Sequence, residues 1–228
     1  MHLDFFALGV LLAGTFGFMC RHNRFRIKAQ RAAMFDGCLS LLESFEIFQD
    51  NVNFPVLLGV YGGYKVHIEA VLDHNAYRKI PPLWLLVTVK RNTALRSTLD
   101  LLVRPQNVEF FSPSADLAES LPIPAGWPEH AVFKADRMEQ TLPLQVIEPH
   151  VVEFFSDPKA KEMLITPRGT RIVYQINQVE RGEYLVLRGL KIGNVAVAAP
   201  LLRALLDRAT SLCRDLAPAF PQSAQVRQ

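Results

Sequence analysis

The chain has 228 residues, 50% hydrophobic and 21% charged, a balance that suits one domain with a real core and excludes global disorder. Its net charge of +3 is unevenly placed: Arg21, Arg24, Arg26, Lys28 and Arg31 stand against Asp4 in residues 1–31, and the remaining chain is slightly acidic. A near-neutral body lacks the basic face that nucleic-acid binding needs. Three scattered cysteines, Cys20, Cys38 and Cys213, with no CxxC pair, argue against a disulfide scaffold or a zinc site and fit a reducing compartment.

From Phe5 to Cys20 the sequence carries no charge, and the basic cluster follows at once. As a helix this run rises roughly 24 Å, near the lower limit for crossing hydrocarbon. Basic residues come after the apolar run rather than before it, unlike a cleaved signal peptide. Phe18-Met19 ahead of Cys20 also lacks the small residues of a lipoprotein signal. The pattern predicts a single transmembrane anchor over 1–20. By the positive-inside rule the N-terminus lies outside and the rest on the cytoplasmic face of the cell (inner) membrane. Gly9, Ala13 and Gly17 fall on one helix face, where small residues admit a packing partner. The collar of Arg21, Arg24, Arg26, Lys28 and Arg31 is matched to anionic lipid headgroups.

Residues 21–50 read as a basic juxtamembrane segment running into an amphipathic helix, with Phe35, Cys38, Leu39, Leu42 and Phe45 at helical spacing. Asp50-Asn51 ends that pattern and opens an α+β domain over 51–217. Val56–Tyr61 and Tyr64–Asp73 flank Gly62-Gly63, a two-residue hairpin signal. Leu83–Val89 and Thr98–Val103 read as further strands. Residues 104–142 are proline-punctuated and irregular, with Ser114 placed to cap one helical turn. Trp127, within PAGWP, is a candidate interface anchor or a plug at the edge of the core. A short helix over Glu148–Phe155 is followed by strands at Glu162–Thr166, Thr170–Asn177 and Glu183–Leu190. An amphipathic helix over Ala198–Leu216, with Arg203 and Asp207 spaced for an ion pair, ends at Pro218 and leaves a flexible tail over 218–228. Strands that cluster rather than alternate with helices predict a mainly antiparallel sheet.

Chemistry is thinly signalled. His67 and Glu69 share a strand face, and His150 and Glu153 lie one helical turn apart, but neither pair supplies a metal-ligand set. The glycines of GVYGGY lead into a strand, not into the helix N-terminus of a phosphate loop. No nucleophile elbow is present, so no catalytic, cofactor or metal residue is assigned. Three readings follow. The first is a non-enzymatic accessory subunit or assembly factor whose partners are other membrane subunits. The second is a binding domain for a lipid or other apolar ligand, held between sheet and C-terminal helix. The third is an enzyme, to be sought where His67, His74, His130 or His150 meets a carboxylate in a pocket. A short anchor before an α+β domain resembles bacterial membrane-anchored proteins, a resemblance of architecture that carries no site residues.

Overall fold

The computed structural model describes residues 2–73, 80–105, 109–138, 143–182, 184, 192–193 and 195–217, and the side chains of all of these but 2–8 and 10. Helix α1 (His2–Ala32) continues into a 3₁₀ helix (Ala33–Leu41). Strands β1 (Ser44–Phe48), β2 (Val56–Tyr61), β3 (Tyr64–Leu72), β4 (Pro82–Lys90), β5 (Leu99–Val103), β6 (Glu119–Ser120) and β7 (Ala131–Ala135) come next. Helix α2 (Leu144–Phe155), strands β8 (Ala160–Thr166) and β9 (Gly169–Gln178) and helix α3 (Ala199–Asp215) complete the described elements. All strand pairings are antiparallel, in the spatial order β1-β2-β3-β4-β9-β8-β5-β7-β6.

The α+β architecture follows from the residue pattern. Gly62 and Gly63, with φ of 55° and 77°, make the β2–β3 turn, the left-handed conformation that two-residue hairpins require. Alternation then sends Leu57, Val66, Ile68, Leu85, Val87, Met163, Ile165 and Ile172 to one face. Leu202, Leu205, Leu206, Ala209, Leu212 and Cys213 of α3 cover that face, with Ile147, Val151 and Phe154 of α2 and Met34, Phe35 and Cys38 of the 3₁₀ helix. Each fully buried leucine or isoleucine contributes at most about 2–3 kcal/mol of transfer free energy. On the opposite face Trp84, Leu86 and Val173 are closed over by Phe111.

Three expectations need correcting. The amphipathic helix expected within 21–50 ends at Ala32, and Ser44–Phe48 pairs with β2 as an edge strand. Phe45, Ile47 and Phe48 favour extended backbone and gain a ladder there. The irregular stretch contains β6 and β7, and the side chain that accepts from Ser114 N is Ser112. Asp207 accepts from the Tyr61 hydroxyl (2.5 Å), and among the described residues it forms no ion pair with Arg203. The strand expected at 183–190 and the tail at 218–228 lie outside the described residues.

Gly169 opens β9 with φ of 152°, and a Cβ built there would stand 2.1 Å from the Val89 carbonyl oxygen. Gly169→Ala should therefore cost about 2–4 kcal/mol, the range of strained or overpacked backbone positions. Urea unfolding monitored by tryptophan fluorescence checks this. A loss below about 1 kcal/mol would mean that β4 and β9 separate freely at that end.

Candidate functional site

Helix α1 stands largely clear of the domain. Leu11, Leu12, Phe16, Phe18 and Met19 are 58–70% exposed, and a Cβ at Gly9 or Gly17 would meet nothing within 4 Å. The face of Gly9, Ala13 and Gly17 is thus open. Among the described residues, no helix is long and apolar enough to cross a membrane. The uncharged run Phe5–Cys20 in α1 rises about 24 Å before Arg21, short of the roughly 30 Å of bilayer hydrocarbon. The transmembrane crossing expected over 1–20 is corrected on that ground.

The collar is solvent-facing at Arg21, Arg24, Arg26 and Lys28. Arg31 is different. It donates to the Val52 carbonyl (2.7 Å) and its guanidinium stands over the Phe54 ring at 4.4 Å. Gln49 Nε2 donates to the Lys28 carbonyl (3.1 Å). The last turn of α1 is therefore tied to the β1–β2 loop. Beside that tie runs the edge strand β1, with Phe45, Ile47 and Phe48 38–56% exposed.

A groove of about 350 Å³ lies between α2 and α3. Phe154, Met163, Ile172 and Leu212 contribute its apolar lining, and His150, Glu153, Asp207 and Arg208 are among its polar groups. His150 Nε2 meets Asp215 at 3.0 Å and Glu153 pairs with Arg208 at 3.1 Å, so both candidate α2 residues bind α2 to α3. Ser211 also lines this groove, but its hydroxyl accepts from Arg214 (2.9 Å), and no described hydroxyl or thiol is hydrogen-bonded to His150.

The back of the sheet buries charge. Asp100 on β5 and Glu162 on β8 are both 0% exposed. Arg171 on β9 donates to Glu162 Oε2 through two nitrogens (3.1 and 2.9 Å) and to the Phe111 carbonyl (2.7 Å). Ser112 donates to Asp100 Oδ2 (2.9 Å). Asp100 Oδ1 and Glu162 Oε1 have no donor among the described groups. Burial raises the Asp100 carboxyl above its ordinary range. Burial also pushes Glu162 up to about 7; the nearby Asp100 charge adds to this, and Arg171 opposes it. Next to this cluster, Lys161 donates to Glu109 at 2.9 Å, and both side chains are buried. Burial holds that ammonium below the usual lysine value.

The remaining candidates are dispersed. His67 and Glu69 are half-buried on β3, opposite Thr88 and Leu86, and no described group of three or more ligand residues could hold a metal ion. His130 borders a separate opening with Arg104 and Lys161. His74 lies outside the described residues. Trp127 is only 5% exposed and packs on Phe133 with ring centroids 5.3 Å apart, so it plugs the core and is no exposed anchor. The Asp100–Glu162–Arg171 cluster escaped sequence reasoning because its members come from three strands and share no local motif.

No family model and no curated protein matches this chain. It is similar to the crystal structure of the mycobacterial trehalose monomycolate transport factor A, with 13% identity, 81% of each chain covered and a TM-score of 0.39. So slight a likeness defines no class for this chain.

The buried carboxyl pair makes stability depend on pH. Because the folded state holds its proton up to about pH 7 while the unfolded chain releases it near the ordinary glutamate value, stability falls as pH rises from about 4.5 to 7 and then levels off. Glu162→Gln keeps the buried contact without the titration and should flatten that slope, changing the difference in Tm between pH 5 and pH 8 by on the order of 5 °C. Thermal unfolding across that range is the measurement. An unchanged slope in the variant would assign the dependence to other groups.

Proposed function

We propose that this chain is a membrane-associated accessory protein, a non-enzymatic subunit or assembly factor of a larger membrane complex. The observation that carries the reading is α1: an apolar helix surface left bare by its own domain, followed by an exposed basic collar, and fastened to the sheet at Arg31 and Gln49. A bare apolar surface of this kind marks a membrane or protein contact. The collar sets basic side chains beside anionic headgroups, each worth about 1 kcal/mol near the surface. In this reading the domain lies on the cytoplasmic face, whose anionic lipids would attract the collar. The tie at Arg31 keeps strand β1 close to the emerging helix. An edge strand with exposed Phe45, Ile47 and Phe48 and no proline offers a partner both backbone hydrogen bonds and apolar contact.

A second reading has its own observation. The groove between α2 and α3 has an apolar lining and a polar rim, the lining an amphiphile needs, so it is the place for a lipid or other apolar ligand. Between α3 and the sheet itself the space is filled by Leu202, Leu206, Ala209 and Leu212.

Two experiments test these readings. Leu12→Glu/Phe16→Glu should move the chain from the membrane to the soluble fraction, while a reporter fused after Gln228 in the wild type is active on the cytoplasmic side. Retention of the double variant in membranes, or a reporter active only outside, would remove α1 as the attachment. Tagged wild-type protein purified from native membranes in mild detergent should bring a stoichiometric membrane partner, lost when Phe45 and Ile47 are changed to Ser. A monomer carrying bound lipid instead would replace the first reading with the second.

A further inference from the structure

A second opening, about 600 Å³, lies on the back of the sheet where β4 ends and β8 turns into β9. Its charged lining is wholly cationic: Lys90, Arg91, Arg168 and Arg171, with Asn92, Thr88 and Thr166 adding neutral polar groups. Lys65, on β3, stands directly across from Lys90 on the same face. Like charges opposed across a strand pair destabilise a sheet. Among the described residues, no carboxylate lies within ion-pair distance of Lys65, Lys90, Arg91 or Arg168. Among the described residues, Lys65, Lys90, Arg91 and Arg168 are therefore uncompensated, and Arg171 alone of the lining cations meets a carboxylate.

The cations are held in different ways. Arg171 is fixed from below by Glu162 and the Phe111 carbonyl. Arg91 donates to the Tyr64 hydroxyl (2.6 Å), its guanidinium 5.1 Å from the centre of that ring. The Arg91 amide donates to the Arg168 carbonyl (3.0 Å), so these two arginines issue from directly bonded backbone. Lys90 and Arg168 are exposed. The close approach at Gly169 that excludes a side chain there holds the β4 and β9 backbones together in the lining. Planar arginine forks with a lysine point charge around a concavity are the donor set that recognises phosphate oxygens.

The opening sits at the end of the strands away from α1. Val56, next to the loop that fastens α1, is level with Glu69 and Leu86, and Lys90 lies four residues further along β4, roughly 13 Å. The collar and this opening are separate basic features.

We infer that the opening between the end of β4 and the β8–β9 turn is a binding site for a phosphate group carried on a small organic molecule, either free in solution or as the headgroup of a lipid. Lys90 and Arg168 are its adjustable cations, and Arg171 is its fixed one.

The test uses the full chain reconstituted in nanodiscs of neutral phosphatidylcholine, titrated with inorganic pyrophosphate at constant ionic strength and followed by thermal unfolding. A saturable rise in Tm is expected in the wild type. Lys90→Ala/Arg168→Ala should weaken the apparent affinity at least 10-fold without lowering its Tm in chloride, and Arg203→Ala should behave as wild type. Arg168→Gln alone, expected to weaken binding in the same direction, serves if the double variant does not fold. The same nanodiscs are then mixed with phosphatidylcholine vesicles containing phosphatidic acid. Co-flotation that depends on Lys90 and Arg168 makes the ligand a lipid headgroup; pyrophosphate binding without co-flotation makes it a soluble phosphate compound. A Tm that does not saturate with pyrophosphate, or equal affinity in wild type and variants, overturns the site.

Discussion

The pairing of β4 with β9 joins strands about 80 residues apart in sequence and turns two separate sets of strands into one sheet. On one side stand β1–β4, ordered as in the chain; on the other are β8, β5, β7 and β6. Both faces of this central pair are buried, Leu85 and Val87 under the helices and Trp84, Leu86 and Val173 under Phe111. A strand pair covered on both sides must have something brought over its back. The segment around 109–117 does this, and it also carries Glu109 and Ser112 to the buried charges of β8 and β5. Without those partners Lys161 would be a buried charge with only the Arg104 carbonyl to meet it, and Asp100 Oδ2 would lose the Ser112 hydroxyl, each at a cost of up to several kcal/mol.

How far the sequence discloses this arrangement depends on how local each signal is. The β2–β3 hairpin is readable from two glycines and an alternating strand, because a left-handed turn admits few other residues. Strand β4 is readable as an unbroken apolar run, which is what burial on both faces demands. Helix α3 is readable from its stripe, and its bounds match expectation to one residue at each end. The failures are equally physical. Phe35, Cys38 and Leu42 do bury an apolar face as the helical period implied, but the backbone beneath them is 3₁₀ and then turns into a strand. Once Ser44–Phe48 can pair with β2, the ladder outweighs a weak helical propensity. Strand β7 is short and set among prolines, and only its partners β5 and β6 define it.

Charge shows the same division. The near-neutral balance of the body is a sum over its surface and interior together, and it says nothing of where the charges gather. Folding places Asp100, Glu109 and Glu162 in the interior and leaves Lys65, Lys90, Arg91 and Arg168 outside. Acids withdrawn from the surface cannot neutralise it. A slightly acidic body therefore presents a concave basic surface, which no count of residues would reveal. One opening of this size is not the extended basic face that nucleic-acid binding needs.

Arg171 connects the two environments. Its guanidinium is bonded to Glu162 on one side and forms part of the basic opening on the other. It is also bonded to the Phe111 carbonyl, in the segment that covers Trp84 and Leu86. A single side chain therefore meets a buried carboxylate, positions the cover of the central strands and lends charge to the surface. Lysine in its place would offer one ammonium to three directions, whereas the planar fork serves them at fixed angles. The back of this sheet thus gains both its closure and its surface charge from one arginine, because β9 is the strand that both halves of the fold share.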